Sequence, residues 1–508
     1  MGLWNFYFLA KLYLYFRGYI RFNFILNLLF LGFLVLPVSK NISFYRHLKS
    51  AKIFLSFISA FLIMWYDSWI PPLLYSIRML ARTGLPSKEY IFSFIVNSVN
   101  IREIALLFAI LAVCIFLLRR ITLTPVVLII MLIVPLLGLK QSKEGLDGHL
   151  EEFYKSEAGK VVSFRSPDAD SRNFDIIMLH ICSLAWDDLK AVGMENHQFF
   201  RQFDLMLTNF NSVSSYTNPS AIRLLRANCG QSKHEALYQN APNECYLLES
   251  LRMQNYKTYS AIDNDAPEFR FVEDIMMYGF ADPPIETEGI PILQYSFDNS
   301  PIYDDFALLK KWFDIREKSG ASKAVLYLDI TSLHGGAHWA EEKDWWKRDR
   351  PSHYKEFVEK LFENLQNFFE LAASSGRNYI IVFVPEHGMA LRGSSIQAPD
   401  LRDIPLPGIT LVPVGIKLIG EGYPAMPNQQ KLIEKPTSYL AISYMLSLFL
   451  EKPPFGSGRT LTENDLAQIP ETGFVSENQE ALIMKKDTEY FLLGKDKKWI
   501  KLSDAALE

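Results

Sequence analysis

The chain has 508 residues and a formal net charge of −4, with no basic block or stripe that would neutralise a run of phosphates, which excludes nucleic acid as a partner. Its composition is divided: roughly the first 140 residues are dense in Phe, Leu, Ile and Tyr, whereas the remainder reads as water-soluble protein, so a single domain in a single solvent is excluded too.

Four stretches poor in charge, 22–39, 53–66, 104–118 and 121–139, read as membrane spans, the shorter ones flanked by Lys or Arg able to snorkel. A fifth, 3–16, is broken only by Lys11 and is rich in Trp, Tyr and Phe; it spans or lies in the interface. No small-residue cleavage site follows it, which argues against a cleavable signal peptide. Lys40, Arg46, Lys49 and Lys52 lie between stretches 22–39 and 53–66, and Arg119 and Arg120 between the last two. The positive-inside rule makes both loops cytoplasmic, and everything after 139 then faces outward. The expected organisation is a membrane region of four to five helices over 1–139, a polar connector over 140–173 and an outward catalytic domain over 174–508.

In that domain "DIIMLHI" (175–181), "KAVLYLDIT" (323–331) and "NYIIVFVP" (378–385) are short apolar runs rich in β-branched residues, as strands covered on both faces require. Between the last two, 354–375 sets Phe357, Val358, Leu361, Leu365, Phe368 and Phe369 on one helical face, and Gly376 supplies the stop. Alternation of this kind predicts an α/β domain with a largely parallel sheet flanked by helices. The tail from about 470, with "EYFLLGKDKKWIKLS", reads as a small hairpin. Cys114 falls in a span; Cys229 and Cys245 are near enough in sequence to close a short disulfide loop outside, which would leave Cys182 unpaired.

Sites in open α/β sheets gather at the carboxyl ends of the strands. Here those ends carry Cys182, then His334 with His338, then Glu386 with His387. Thiolate, imidazole and carboxylate are the ligand types of zinc. Taken singly, a buried small hydrophobe and solvated loop histidines explain these residues better; at consecutive strand ends they favour a metal site. The hydroxyl-rich "NSVSSYTNPSAIRLLRANCG" (211–230) runs into a helix, with Pro219 in its first turn and Gly230 as its stop. Thr217, just before that helix, sits where anions are favoured and is a candidate nucleophile, unless Thr217 or Asn218 serves as a plain cap.

"ICSLAWDD", "FNSVSSYTNPSAIRLLRANCGQ", "YLLESL", "PEHGMALRG" and "LRDIPLPGIT…VPVGIKL" resemble the cellulose biosynthesis protein G family, membrane-bound cellulose phosphoethanolamine transferases of Gram-negative bacteria within the alkaline-phosphatase-like superfamily. The resemblance implies Zn2+ held by Cys182, Glu386, His387 and Thr217, with Thr217 also the nucleophile, a pocket lined by Tyr216, His334 and Arg402, and a Cys229–Cys245 disulfide. It further implies a phosphatidylethanolamine donor, a cellulose acceptor, a cellulose synthase complex as partner, and an inner-membrane protein with its catalytic domain in the periplasm. Where the family has Tyr-Ser-Gly-Pro, this chain has Tyr216-Thr217-Asn218-Pro219. Relatives that modify lipid A use Thr, so lipid A is a rival acceptor. Two rival activities stand beside transfer to cellulose: hydrolysis, with water as acceptor, by an enzyme of the same superfamily, and a non-catalytic scaffold of a cellulose synthase complex. The stretch 334–354 is longer than its family counterpart and carries Trp339, Trp345 and Trp346, for which packing is favoured over a glucan-stacking platform.

Overall fold

The computed structural model describes residues 2, 4–17, 20–39, 44–68, 88, 91–92, 101–118, 123–138, 145–165, 173–264, 270–424, 426–427, 429–456, 462–495 and 497–507. Its N-terminal part is helical: α1 (Trp4–Phe16), α2 (Phe24–Val35), α3 (Tyr45–Asp67), α4 (Ile101–Leu118) and α5 (Thr124–Gly138). Among the described residues α3 is the one helix long and apolar enough to cross a membrane by itself, the others being shorter in their apolar part. Lys11 is buried because α3 supplies its counter-charge. Its Nζ donates to Asp67 Oδ2 at 2.6 Å and to Asn27 Oδ1 at 2.9 Å. An ammonium inside an apolar cluster is tolerated only with such a partner. Phe8 and Leu12 of α1 join Phe30, Leu31, Ala60, Val127 and Met131 in one apolar cluster, so α1 packs with α2, α3 and α5. Lys40, Arg119 and Arg120, on which the orientation argument draws, lie outside the described residues, as do 140–144 and 166–172 of the connector.

The described part of the polar connector is partly helical. It contains α6 (Leu146–Ala158), polar enough to pass for a linker, whose Leu146, Leu150, Phe153 and Tyr154 pack against the C-terminal sheet.

The C-terminal domain is built on a sheet of seven strands: β1 (Asp175–Ile181), β2 (Leu205–Asn211), β3 (Lys257–Ile262), β4 (Ala324–Ile330), β5 (Tyr379–Pro385), β6 (Leu411–Ile419) and β7 (Lys431–Ile433). Their order is β7-β2-β6-β5-β1-β4-β3. The sheet is mixed, because β6 runs antiparallel to both β2 and β5 while the other four pairings are parallel. Every residue of β1, β4 and β5 is buried, as their near-continuous apolar composition requires. Two apolar layers cover them. Helix α7 (Thr217–Leu225) contributes Ala221, Leu224 and Leu225 to one; α8 (Arg350–Ser374) contributes Phe357, Val358, Leu361, Leu365, Phe368 and Phe369 to the other. Helix α8 starts four residues before the predicted boundary, at an Asp349 cap, and Gly376 follows its end at φ +72°.

The C-terminal hairpin is part of a larger unit. Its strands pair with two more to form a four-stranded antiparallel sheet, β8 (Val475–Glu477), β9 (Leu482–Lys486), β10 (Glu489–Leu493) and β11 (Trp499–Lys501). Cys229 and Cys245 form a disulfide, while Cys114 and Cys182 are free.

Candidate active site

β1 and β5 are neighbours in register, Ile181 opposite Pro385, so Cys182 and Glu386 leave the sheet side by side. The ladder carries on past both strands: Cys182 N donates to Ile330 O at 2.8 Å, Glu386 N to Ile181 O at 2.8 Å and Leu184 N to His387 O at 2.7 Å. The chain then turns sharply at Ser183, whose φ of +63° lies in the left-handed region. Gly388 is glycine because of crowding. A Cβ there would stand 2.5 Å from Asp188 Oδ2 and 2.6 Å from Ala185 Cβ. Asp188 in turn accepts from Met389 N at 2.7 Å and Leu391 N at 2.9 Å, pinning the segment that follows His387.

Thr217 is the first residue of α7, with Tyr216 at the cap, and not the residue before the helix. The helix stops at Leu225, well short of Gly230. The role of Gly230 is a close approach: a Cβ on it would lie 2.2 Å from the Glu157 carbonyl oxygen of α6. Ser220 Oγ donates to Glu386 O at 3.1 Å, tying the first turn of α7 to the end of β5.

These elements bring four of the candidate residues together. Cys182 Sγ lies 3.7 Å from Thr217 Oγ1 and 3.8 Å from His387 Nε2, and His387 Nε2 lies 3.5 Å from Glu386 Oε2. Donor atoms of Cys182, Glu386 and His387 all fall within 4.8 Å of one another, and all three side chains are buried. Ligands around one tetrahedral ion with bonds of about 2.0–2.3 Å stand roughly 3.3–3.6 Å apart, so the residues fit a metal. Further observations point the same way. Neither Glu386 oxygen has a hydrogen-bond partner of normal geometry. His387 Nδ1 lies 2.9 Å from Gly388 O, and a proton on Nδ1 would leave Nε2 as the ligand atom.

Burial disfavours the charged form of each of the three donor side chains. Burial, then the nearby Asp329 and Cys182, push the Glu386 carboxyl well above its ordinary range. Burial also pushes the Cys182 thiol up, against the pull of Arg402. His387 is held well below its ordinary value by burial and then by Arg402, so it is neutral and ligand-competent. A divalent cation inverts the first two tendencies.

Arg402 Nη1 stands 3.2 Å from His387 Nδ1 and donates to Ser183 Oγ at 3.2 Å, so the guanidinium flanks the cluster. Tyr216 Oη donates to Asp403 Oδ1 at 2.8 Å, and its ring is partly exposed at the mouth. His334 is half-buried, stacked on Phe297 with ring centres 5.4 Å apart, its Nδ1 directed at Gly335 O 3.1 Å away. Burial, with Arg402 adding to it, lowers His334 to about 4, leaving a neutral imidazole. Neither His334 nor His338 joins the buried donor group. His338 stacks on Trp345 at 4.7 Å, while Trp339 meets Phe357 edge-on at 4.7 Å, so these rings are engaged in packing.

Several residues around the site escape the sequence patterns that locate the others. Asn478, just past β8, donates to Arg402 O and Asp403 O at 3.1 Å, so the C-terminal sheet braces the Arg402 loop. Asn218 Nδ2 donates to Asp274 Oδ2 at 2.7 Å. His180 on β1 and Asp329 on β4 are polar interruptions of buried apolar strands, and that interruption is the signal that would have found them.

Residues 138–499 match the family described as "Cellulose biosynthesis protein BcsG C-terminal domain", and residues 4–136 match "Cellulose biosynthesis protein BcsG N-terminal domain". The chain is 31% identical over 540 residues to Cellulose biosynthesis protein BcsG of Escherichia coli (strain K12), covering 97% of this chain and 94% of the relative. It is 31% identical over 534 residues to the protein of the same name from Salmonella typhimurium, covering 95% and 92%. Among solved structures, the integral membrane protein lipooligosaccharide phosphoethanolamine transferase A from Neisseria meningitidis superposes with a TM-score of 0.43 and 12% identity over 88% of this chain and 96% of that one. A likeness that distant bears on neither substrate nor mechanism. The full-length matches do decide the family: the chain belongs to the cellulose biosynthesis protein BcsG family.

Proposed function

We propose that the protein transfers phosphoethanolamine from phosphatidylethanolamine to glucose hydroxyls of cellulose, at the periplasmic face of a bacterial inner membrane, by way of a covalent intermediate on Thr217. The observation that carries the reading is the half-buried Thr217 hydroxyl at a helix N-terminus, 3.7 Å from Cys182 Sγ and beside a buried Cys182, Glu386 and His387 donor group. Family membership supports the cellulose acceptor, and the helices of 1–139 suit a donor that never leaves the bilayer. On this reading the membrane region has four to five spans, with 174–508 outside and a cellulose synthase complex as the neighbour.

In the first step Thr217 Oγ1 attacks the lipid phosphorus. The Oγ1–P bond forms as the bond to the diacylglycerol oxygen breaks; the threonine proton passes to neutral His334 and from it to the departing oxygen, so diacylglycerol leaves as the alcohol. In the second step a primary hydroxyl of a glucose unit attacks the same phosphorus and Thr217 is released. Neutral His334 serves as the proton acceptor for that hydroxyl. The amides of the first turn of α7 and the Arg402 guanidinium face the charge that spreads over the phosphoryl oxygens. A zinc ion held by Cys182, Glu386 and His387 would supply Lewis acidity toward the Thr217 hydroxyl and the phosphoryl group.

The direct test is to supply phosphatidylethanolamine without acceptor and digest the protein. A phosphoethanolamine mass shift on the peptide containing Thr217 supports the covalent route. Donor turnover with label on no residue excludes it.

A further inference from the structure

The buried polar residues that the reaction leaves unused concentrate beside Glu386. His180 and Asp329 face each other across β1 and β4 in register. His180 Nδ1 stands 3.4 Å from Asp329 Oδ1, 3.3 Å from Glu386 Oε1 and 3.1 Å from Tyr327 Oη, and Tyr327 Oη donates to Asp329 Oδ1 at 3.4 Å. All four side chains are at most 1% exposed. Glu386 therefore turns one oxygen each way: Oε1 toward His180 and Oε2 toward His387 Nε2 at 3.5 Å.

Hydrogen bonding leaves this arrangement incompletely satisfied. Two carboxylates converge on one ring nitrogen, and a single Nδ1 proton can serve only one of them. An imidazolium would need an acceptor at Nε2 as well, and Nε2 of His180 has none. Both Glu386 oxygens are likewise without a partner of normal geometry. Among the described residues no Lys or Arg forms an ion pair with Asp329 or Glu386, whose only ion-pair partners are the histidines. Ionising both carboxylates in this dry pocket is costly without a cation beside them. The separations of 3.3 and 3.4 Å are those of ligands sharing one ion at bonds of roughly 2.0–2.2 Å.

We propose that His180, Asp329 and Glu386 form a second divalent-cation site, in which the Glu386 carboxylate bridges to the cation held by Cys182, Glu386 and His387. The proposal rests on the metal reading of that first group. With one imidazole, two carboxylates and no sulfur, the second site is the harder of the two and takes Zn2+ or Mn2+. A cation there holds the Glu386 carboxylate in place and offsets the charge of Asp329 and the Cys182 thiolate.

The test is metal counting on full-length protein in detergent, stripped with a chelator, reloaded separately with Zn2+ and with Mn2+, and desalted. The parent should hold about two equivalents of Zn2+, and Asp329→Asn and His180→Asn about one each, with Cys182→Ser losing the other. One equivalent in the parent that survives Asp329→Asn and disappears in Cys182→Ser overturns the second site and leaves the first standing. No bound metal in the parent overturns both. A readout independent of any variant is the electron paramagnetic resonance of the Mn2+-loaded parent. A carboxylate-bridged pair gives a spin-coupled spectrum, and an uncoupled six-line spectrum from fully loaded protein overturns the bridge.

Discussion

Thr217 Oγ1 stands 3.7 Å from Cys182 Sγ, across the gap between the first turn of α7 and the end of β1. A hydroxyl so close to a buried thiol, imidazole and carboxylate is positioned to be activated. Thr217→Ala removes the attacking oxygen and lowers kcat by at least about 10³-fold, whereas Thr217→Ser keeps the oxygen and retains substantial activity. The check is steady-state turnover of phosphatidylethanolamine, with melting temperature as the control for folding.

Among the described residues, Cys182, Glu386 and His387 converge with no Lys or Arg in ion-pair contact with the carboxylate. Replacing Cys182 by Ser exchanges a thiolate for a poor ligand and weakens zinc binding by more than about 100-fold, read by chelator competition. Unchanged affinity would remove Cys182 from the ligand set.

The Asp188 carboxyl is pushed up to about 7 by burial, against the N–H groups of Leu391 and Met389 that pull it down. The folded state therefore holds a proton between the ordinary carboxylate range and about pH 7 that the unfolded chain has lost. Stability should fall as pH rises from about 4 to about 7, by a few kcal/mol from this group, and this group adds no further change above that window. Asp188→Asn removes that part of the slope. Thermal unfolding of parent and variant at pH 5 and pH 8 checks it, and equal pH dependence of the two would contradict it. At the neighbouring Gly388, Ala would press on Asp188 and Ala185, and the variant should unfold at markedly lower temperature.

The Cys229–Cys245 bridge spans a sequence separation of 16 and ties the segment after α7 to the helix that begins at Leu247. Replacing both cysteines by Ser should cost roughly 3 kcal/mol in stability, measured by denaturant unfolding. Zinc content should be unchanged, because neither residue belongs to the donor group.

Much of the site is legible in the amino-acid sequence alone. β1, β4 and β5 are buried on both faces, so their composition marks them, and topology then brings Cys182, Glu386 and His387 to one edge. What is not legible depends on contacts remote in sequence. The reversed direction of β6 follows from pairing with both β2 and β5. Helix α6 is mostly polar and is fixed by the C-terminal sheet it packs against. His334 and His338 lie at the same sheet edge as Cys182, Glu386 and His387 but stack on Phe297 and Trp345 and stay outside the donor group. His180 and Asp329 look like isolated polar residues until register sets them opposite each other.

The central claim is the transfer itself, and a donor carrying label in its phosphoethanolamine group tests it most directly. Membranes containing the protein are given labelled phosphatidylethanolamine with cello-oligosaccharides and lipid A side by side. The account predicts label in the glucan, none in lipid A, and loss of the glucan label in Thr217→Ala. Label in lipid A with none in glucan, or released phosphoethanolamine with neither acceptor labelled, would contradict it.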